Sequence, residues 1–134
     1  MKPEGPYAGC GALIRNEAGE LLLIQRLKEP EAGYWGLPGG KIDFGEPAKT
    51  ATIREIAEEL GIKIEITGLA GLTETIDKGD GMHWVAPVYA ARIVQGEPYL
   101  VEPEKHGGWG WFSHGDLPEK LTTPTLQILA SSDG

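Results

Sequence analysis

The sequence contains very little cysteine: Cys10 is the only one among 134 residues. A lone cysteine can form neither an internal disulfide nor a thiolate metal cluster, so the composition fits the reducing cytosol. We expect Cys10 to be a small buried side chain rather than a catalytic thiol. Long apolar runs are also missing, which predicts no membrane-spanning helix. The first ten residues, MKPEGPYAGC, lack the apolar core of a signal peptide, and we therefore expect a cytoplasmic protein.

Basic residues are scarce, with 12 lysines and arginines against 20 aspartates and glutamates and a net charge of -8. This charge argues against a protein that binds nucleic-acid polymers or anionic membranes non-specifically, because such proteins need a basic face. If the chain binds a smaller polyanion, a divalent metal is the usual source of positive charge. The length of 134 residues predicts one domain, residues 1–134, around one core.

Strand and helix patterns follow each other without the regular alternation of βαβ units. This order predicts a mixed β-sheet with helices packed on its faces. Residues 7–15 and 21–26 have strand patterns separated by the turn NEAGE, and we expect them to form a hairpin. Two prolines and four glycines predict an irregular loop over residues 27–40.

The second half of the chain is richer in strand patterns. Residues 62–76 predict two short strands around Gly68 and Gly71. A strong strand follows over residues 83–94, where Pro87 indicates a sheet edge or a bulge. Another short strand is predicted at residues 109–112.

Residues 47–60 have the pattern of a helix, with a proline in the first turn and Gly61 as the C-terminal cap. A second, closing helix is predicted at residues 123–130. In the first helix, four apolar residues recur at the spacing of one buried face: Ile53, Ile56, Ala57 and Leu60. Three glutamates centre on the opposite, acidic face: Glu55, Glu58 and Glu59.

A solvated helix face would explain most charged patterns of this kind. Here Glu55 lies one turn before both Glu58 and Glu59, and each like-charge pair costs about 0.2–0.5 kcal/mol. Arg54 is the only nearby cation that offers relief. Hard divalent cations, in contrast, need several carboxylate oxygens that converge on one point. The spacing therefore favours a metal site over a solvated face.

The segment GLPGGK lies ahead of the helix, and its glycines permit backbone conformations that are closed to other residues. Such a turn can offer a carbonyl to a metal or amides to a phosphate, although many glycine-rich turns do neither. Lys41 follows the glycines directly, and we interpret it as a candidate phosphate contact.

The same region resembles the Nudix box, the signature of the Nudix hydrolase family. Gly40 is followed after five residues by Glu46, and after seven more by REIAEELGI, residues 54–62. Every specified position of the box is matched, over the 23 residues 40–62. The preceding strands and the run WGLPGGK also resemble the family.

The resemblance implies an α/β fold, an αβα sandwich with a central mixed β-sheet. It implies Mg²⁺-dependent hydrolysis of a nucleoside diphosphate linked to another group, with Mn²⁺ as a substitute metal. By this resemblance Glu58 and Glu59 are the central metal ligands, and Glu55 is a further ligand or the general base. The carbonyl of Gly39 adds a backbone oxygen. Arg54 orients the carboxylates, and Glu46 braces the loop against the helix.

The segment 102–112, EPEKHGGWGWF, resembles the region after the long strand of MutT-like nucleoside triphosphate pyrophosphatases. There an acidic loop residue faces the metals from the opposite side. Glu104 is the first candidate for this role and Glu102 the second, although an exposed loop acid without function is an equal alternative. His106 could contact substrate or be a surface histidine.

Aromatic and basic residues outside the box are candidates for contacts with the nucleobase and the phosphates. Trp35 and Trp84 could each stack on a base, but a tryptophan of a small domain more often packs in the core. Trp109 and Trp111 alternate on one strand, share a face and are interpreted as core. Arg26, at the end of a strand, could contact a phosphate or be a surface residue.

The leading hypothesis is a nucleoside triphosphate pyrophosphatase that releases a monophosphate and pyrophosphate. An ADP-ribose or ADP-sugar pyrophosphatase is the first alternative. It ranks below the triphosphate hypothesis because ADP-ribose and ADP-sugar hydrolases of the family tend to be larger than this chain. A non-catalytic Nudix domain that senses a nucleotide is the second, and the intact box argues against it. The expected partner is a small nucleotide, and a homodimer remains open.

Overall fold

The computed structural model describes residues 5–79 and 81–131. Within these residues it contains seven strands, two α-helices and one turn of 3-10 helix at His114–Asp116. The strands are β1 Tyr7–Ile14, β2 Leu21–Arg26, β3 Trp35–Gly36, β4 Gly39–Lys41, β5 Lys63–Asp77, β6 Met82–Gln95 and β7 His106–Phe112. The helices are α1 Ala48–Leu60 and α2 Thr123–Ser131.

The strands form two sheets. The larger has the order β4-β1-β6-β5, and its β1–β6 pair is parallel while its other pairs are antiparallel. The smaller has the order β3-β2-β7 and is antiparallel. The predicted mixed sheet is thus confirmed.

Neighbouring residues of β1 point to opposite sides of the β-layer. Ile14 packs in one apolar cluster with Ile56 of α1, whereas Leu13 packs in a second cluster with Ile128 of α2. Strand β2 alternates between the two clusters in the same way. The helices therefore cover opposite faces of the strands, which confirms the αβα sandwich.

The predicted hairpin of β1 and β2 is wrong. The strands meet in one isolated bridge, Arg15↔Leu21, and in the turn closed by the Asn16 amide and the Glu20 carbonyl, 3.1 Å apart. They then separate into different sheets, where β1 pairs with β4 and β6 and β2 pairs with β3 and β7. Both strands are apolar at nearly every position, and each is covered on both faces instead of forming a two-stranded ribbon.

Two other strand predictions are corrected by the glycines. The expected irregular loop 27–40 contains β3 and the start of β4, whose glycines pair closely with neighbouring backbone. The two short strands predicted around Gly68 and Gly71 are one strand, β5, with register shifts at Ile66/Gly68 and Leu69/Gly71. Glycine permits a bulge here without ending the strand.

Pro87 lies in β6, between β1 and β5, so the expected sheet edge is wrong. Its pair with Leu72 lies in a stretch without a register shift, so it marks no bulge either. The parallel pairs with β1 pass from Ala8↔Val85 directly to Gly11↔Val88. A proline, which has no N–H to donate, fits this interruption.

Helix α1 begins after Pro47, whose backbone is extended, and ends at Gly61 in the left-handed region with φ 66°. The Gly61 amide donates to the Ala57 carbonyl at 3.0 Å, which confirms the predicted cap. The predicted buried face is rotated, however: Ala57 is exposed, whereas Glu59 is only 8% exposed. The helix packs against β4, an edge strand of the larger sheet, as well as against β1 and β5, so the glutamate side is also partly covered.

None of the helices in the described residues is both long and apolar enough to cross a membrane.

Candidate active site

Two cavities meet on the glutamate side of α1. They share five lining residues: Arg26, Gly39, Gly40, Glu59 and His106. The smaller cavity, of about 280 Å³, is completed by Lys28, Glu55, Glu58, Glu102 and Lys105. The structure therefore brings the three helix glutamates and Gly39 together with Glu102, one of the two loop acids considered from the sequence, and adds two lysines.

Glu59 is the buried member of the glutamate group. One of its carboxylate oxygens accepts a hydrogen bond from the Gly39 amide, with N and O 2.9 Å apart. Burial, together with the nearby charges of Glu55 and Glu102, raises the pKa of Glu59 to about 8, while the Gly39 hydrogen bond opposes the shift. When ionised, the Glu59 carboxylate therefore has negative neighbours and little compensating positive charge, which a bound cation would supply.

Gly39 and Gly40 have no room for side chains. A β-carbon at Gly40 would overlap the carboxyl group of Glu55, and one at Gly39 would overlap the backbone carbonyl of Cys10. Gly40 thus allows β4 to pack directly against the acidic side of α1, and Gly39 allows β4 to lie close against β1. The glycine-rich segment thus positions the glutamates, in addition to any ligand it offers from its own backbone.

Arg54 connects the helix glutamates to the loop that precedes the helix. Its Nε and Nη2 donate to the two carboxylate oxygens of Glu46 at 2.7 and 2.9 Å. Its Nη1 donates to Glu55 and to Glu58, both at 3.1 Å, and its Nη2 also donates to the Lys41 carbonyl at 3.0 Å. The hydrogen bonds from Arg54 lower the pKa of Glu46, and those to Glu46 and Glu55 raise the pKa of Arg54. Arg54 therefore links the loop to two of the helix carboxylates.

Glu102 lines the smaller cavity across from the helix, whereas Glu104 is exposed and lines neither cavity. The Glu102 carboxylate accepts a hydrogen bond from Lys105 Nζ at 3.3 Å. Of the two loop acids considered from the sequence, the geometry therefore favours Glu102, the second candidate.

His106 lies where the two cavities join. Its Nε2 is 3.6 Å from a carboxylate oxygen of Glu59. Its Nδ1 is buried and has no hydrogen-bond partner, alone among the buried side-chain nitrogens and oxygens of the described residues. Burial lowers the pKa of His106, so the ring is neutral at pH 7 and supplies no positive charge beside the carboxyl group of Glu59.

The larger cavity, of about 390 Å³, is mainly apolar. Trp84 lines it and packs against Tyr7, with ring centroids 5.1 Å apart. Trp35 lines neither cavity, and instead packs edge-on against Phe112 at 5.2 Å in the α2 cluster. The core alternative thus fits Trp35, while Trp84 is the tryptophan that faces a cavity.

Two basic residues from the sequence analysis also line these cavities. Arg26 lines both, and its Nε donates to the Pro30 carbonyl at 2.8 Å. Lys41 lines the larger cavity. Cys10 is buried as expected, and burial raises the pKa of its thiol.

Residues 6–131 match the NUDIX domain family. The chain belongs to the Nudix family. A crystal structure of a MutT NUDIX hydrolase from Burkholderia pseudomallei is 51% identical, with a TM-score of 0.91 over 96% of this chain and 98% of that protein. A Bacillus subtilis relative named as an 8-oxo-dGTP diphosphatase is 31% identical over 82% of this chain and 68% of its own length. A Methanocaldococcus jannaschii relative named ADP-ribose pyrophosphatase is 33% identical over 69% of this chain. The chain spans about half, 54%, of the length of that relative.

Nudix hydrolases generally need a divalent metal such as Mg²⁺. Among residues 5–79 and 81–131, in the observed side-chain positions, no three His, Cys, Asp or Glu residues lie close enough together to hold a metal ion by themselves. Magnesium rarely uses an all-protein cage, and usually combines one or two carboxylates with substrate phosphates and water. A buried carboxylate at Glu59, with Glu55, Glu58 and Glu102 on the same cavity, fits this kind of site.

Lys28 and Lys105 of this Nudix chain were not predicted as site residues from the sequence. Both lie beside residues that were considered, Arg26 and His106. Isolated lysines in loops have no signature, and only the pairing of β2 with β7 places them on one cavity.

Proposed function

We propose that the chain hydrolyses a nucleoside triphosphate to the monophosphate and pyrophosphate in a reaction that needs Mg²⁺. The observation that carries this proposal is the junction of the two cavities. An apolar space of about 390 Å³ opens there onto a smaller space lined by four glutamates. The apolar side suits a nucleobase and its sugar, and the acidic side suits a metal-bound phosphate chain.

In this arrangement the shared residues surround the α-phosphate. Arg26 can place its guanidinium against the phosphate oxygens, and the bare backbone of Gly39 and Gly40 lets the phosphate approach closely. Trp84 supplies a ring on which the base can stack, and Lys41 is a further cation on that side. Trp84 replaces Trp35 as our candidate for base binding.

The metal, when bound, would neutralise phosphate charge and polarise phosphorus. Glu58, Glu59 and the carbonyl of Gly39 are the proposed oxygen ligands, and Arg54 holds Glu58 in position. Glu55, held by the same guanidinium, takes a proton from the attacking water. The water oxygen bonds to the α- or the β-phosphorus as the bond from that phosphorus to the bridging oxygen breaks. The bridging oxygen departs with the other phosphate group, so the products are the monophosphate and pyrophosphate in either case.

Product analysis tests the proposal. The protein is incubated with Mg²⁺ and a panel of canonical and oxidised nucleoside triphosphates, ADP-ribose and dinucleoside polyphosphates, with EDTA samples as controls. The expected products are a monophosphate and pyrophosphate from a triphosphate, and none in EDTA. Binding without turnover across the panel would favour a nucleotide-sensing domain instead.

ADP-ribose is the second candidate substrate, because the Methanocaldococcus jannaschii relative is named ADP-ribose pyrophosphatase. Release of AMP and ribose phosphate from ADP-ribose, with intact triphosphates, would keep the hydrolytic chemistry and overturn the proposed substrate. The oxidised triphosphates are included because the Bacillus subtilis relative is named for 8-oxo-dGTP.

A further inference from the structure

We propose that Lys28 and Lys105 bind the terminal phosphate of a triphosphate, whose place a sugar takes in a sugar diphosphate, and so select substrates that end in a phosphate chain over diphosphates that end in a sugar. The inference rests on the proposed function and deepens it. It assigns the two lysines as specificity-determining residues of the same site.

The fold brings the two lysines together from distant parts of the sequence. Arg26 at the end of β2 pairs with His106 at the start of β7. One residue further out, the Leu27 amide donates to the Lys105 carbonyl at 3.1 Å. The backbone that carries Lys28 and Lys105 is therefore fixed at the end of the smaller sheet, and both residues line the smaller cavity.

The lining residues give the site a direction. Arg26 and the two glycines belong to both cavities, whereas Lys28 and Lys105 belong only to the smaller one. If the base occupies the larger cavity and the α-phosphate the junction, the group linked to the α-phosphate extends into the smaller cavity. That group therefore lies among the lysines and the glutamates.

The charges of the smaller cavity indicate what that group is. Its lining carries four glutamates and three basic side chains, Arg26, Lys28 and Lys105. The carboxylates suit metal ions, and the ammonium groups suit anionic oxygens that metals leave uncovered. A pyrophosphate group fills both needs, whereas a sugar would displace water from the lysines without supplying a charge.

Lys105 already has a protein partner, since its Nζ donates to Glu102 at 3.3 Å. The exposed lysine keeps two further N–H donors that a phosphate oxygen can accept from. The pair thus ties the Lys105 ammonium to the carboxylate that faces the helix glutamates. A purely structural ion pair would stabilise the loop but would not distinguish substrates.

The test compares Lys28→Gln and Lys105→Gln with Lys63→Gln, a control that removes the same charge from exposed β5 and lines neither cavity. We expect each site variant to lower kcat/KM for the triphosphate about tenfold, the effect of one charged hydrogen bond. The activity on ADP-ribose should change less than about twofold by the same argument. Arginine at either position should restore most of the triphosphate activity, and the control should match the wild type.

A second readout is the affinity for inorganic pyrophosphate, measured by calorimetry without turnover. It should fall in both site variants and not in the control. Equal losses on triphosphate and ADP-ribose, or unchanged pyrophosphate affinity, would overturn the role of the lysines. If the wild type cleaves ADP-ribose and no triphosphate, the proposed function fails by itself, and the pyrophosphate affinities still decide the role of the lysines.

Discussion

Glu58 and Glu59 are neighbours on one helix, yet their surroundings differ sharply. The Glu58 side chain is 54% exposed, whereas that of Glu59 is 10% exposed and bonded to the Gly39 amide. A helical wheel gives only the angle between the two residues and not what packs against each. The sequence therefore predicted both glutamates as candidate metal ligands, but it could not predict the burial of Glu59, which depends on how closely β4 approaches α1.

Glu59→Gln should lower Mg²⁺-dependent turnover by about a hundredfold, because a ligand charge is lost while the Gly39 hydrogen bond can remain. In EDTA the same variant should unfold at higher denaturant than the wild type, since it no longer buries a carboxylate among like charges. Steady-state kinetics and urea titrations measure the two effects. Undiminished turnover would remove Glu59 from the mechanism.

The buried Glu59 also predicts how the free energy of unfolding changes with pH when EDTA is present. The pKa of Glu59 rises from 4.5 to about 8 on folding, so the folded chain binds more protons between these values. The contribution of Glu59 to wild-type stability should therefore decrease as pH rises through this window, and the Gln variant should lack this contribution. A wild-type and a variant curve of the same slope would contradict the shift.

The two loop acids offer a matched pair. Glu102→Gln should reduce kcat strongly, because Glu102 lines the cavity, whereas Glu104→Gln should leave it within about twofold of the wild type. Circular dichroism would establish that both variants are folded. A larger loss at Glu104 would restore the first candidate of the sequence analysis and show that the loop rearranges in the working complex.

At the scale of elements, proline and glycine predicted the ends of helix α1 reliably. Both ends of α1 were predicted within one residue, because Pro47 and Gly61 have a fixed backbone role. The separation of β1 and β2 was not predictable, since the turn between them permits either a hairpin or a divergence. Only partners from later in the chain, β6 and β7, decide which one forms.

The cap at Gly61 gives a prediction at this scale. Gly61 and Gly45 both have positive φ, 66° and 81°, but a β-carbon at Gly61 would also meet the ring of Tyr99. Gly45→Ala should cost about 1 kcal/mol of folding free energy from backbone strain, and Gly61→Ala should cost more. Urea unfolding of the two variants measures the difference. Equal losses would show that Tyr99 adds no steric cost.

At the scale of the molecule, the strands connect both apolar clusters. Ile14 packs on the α1 side and Ile128 on the α2 side, and both are almost completely buried. Ile14→Val and Ile128→Val should each destabilise the protein by about 0.5–1.5 kcal/mol. Their effects should add in the double variant, within one transition seen alike by tryptophan fluorescence and circular dichroism. Two separate transitions would show that the clusters unfold independently.

The candidate site was foreseen in part at this same scale. Local spacing predicted the glutamates as candidate metal ligands, and the resemblance to the Nudix box added Gly39 and Arg54. All of these residues lie on one helix or in the segment before it. The cavities depend on contacts between segments distant in sequence, such as Arg26 with His106. For this reason Glu102, Trp84 and the two lysines could be ranked or recognised only in the folded chain.

The irregular register of β5 has a consequence for the protein in a crowded solution. This 15-residue strand forms an edge of the larger sheet and exposes Leu69 and Leu72, each by 66%. A flat apolar edge of this length would be a template on which other chains could add strands and aggregate. The shifts at Ile66/Gly68 and Leu69/Gly71 interrupt the regular edge. The glycines that complicated the strand prediction are thus expected to make this edge a poorer template for strand addition by other chains.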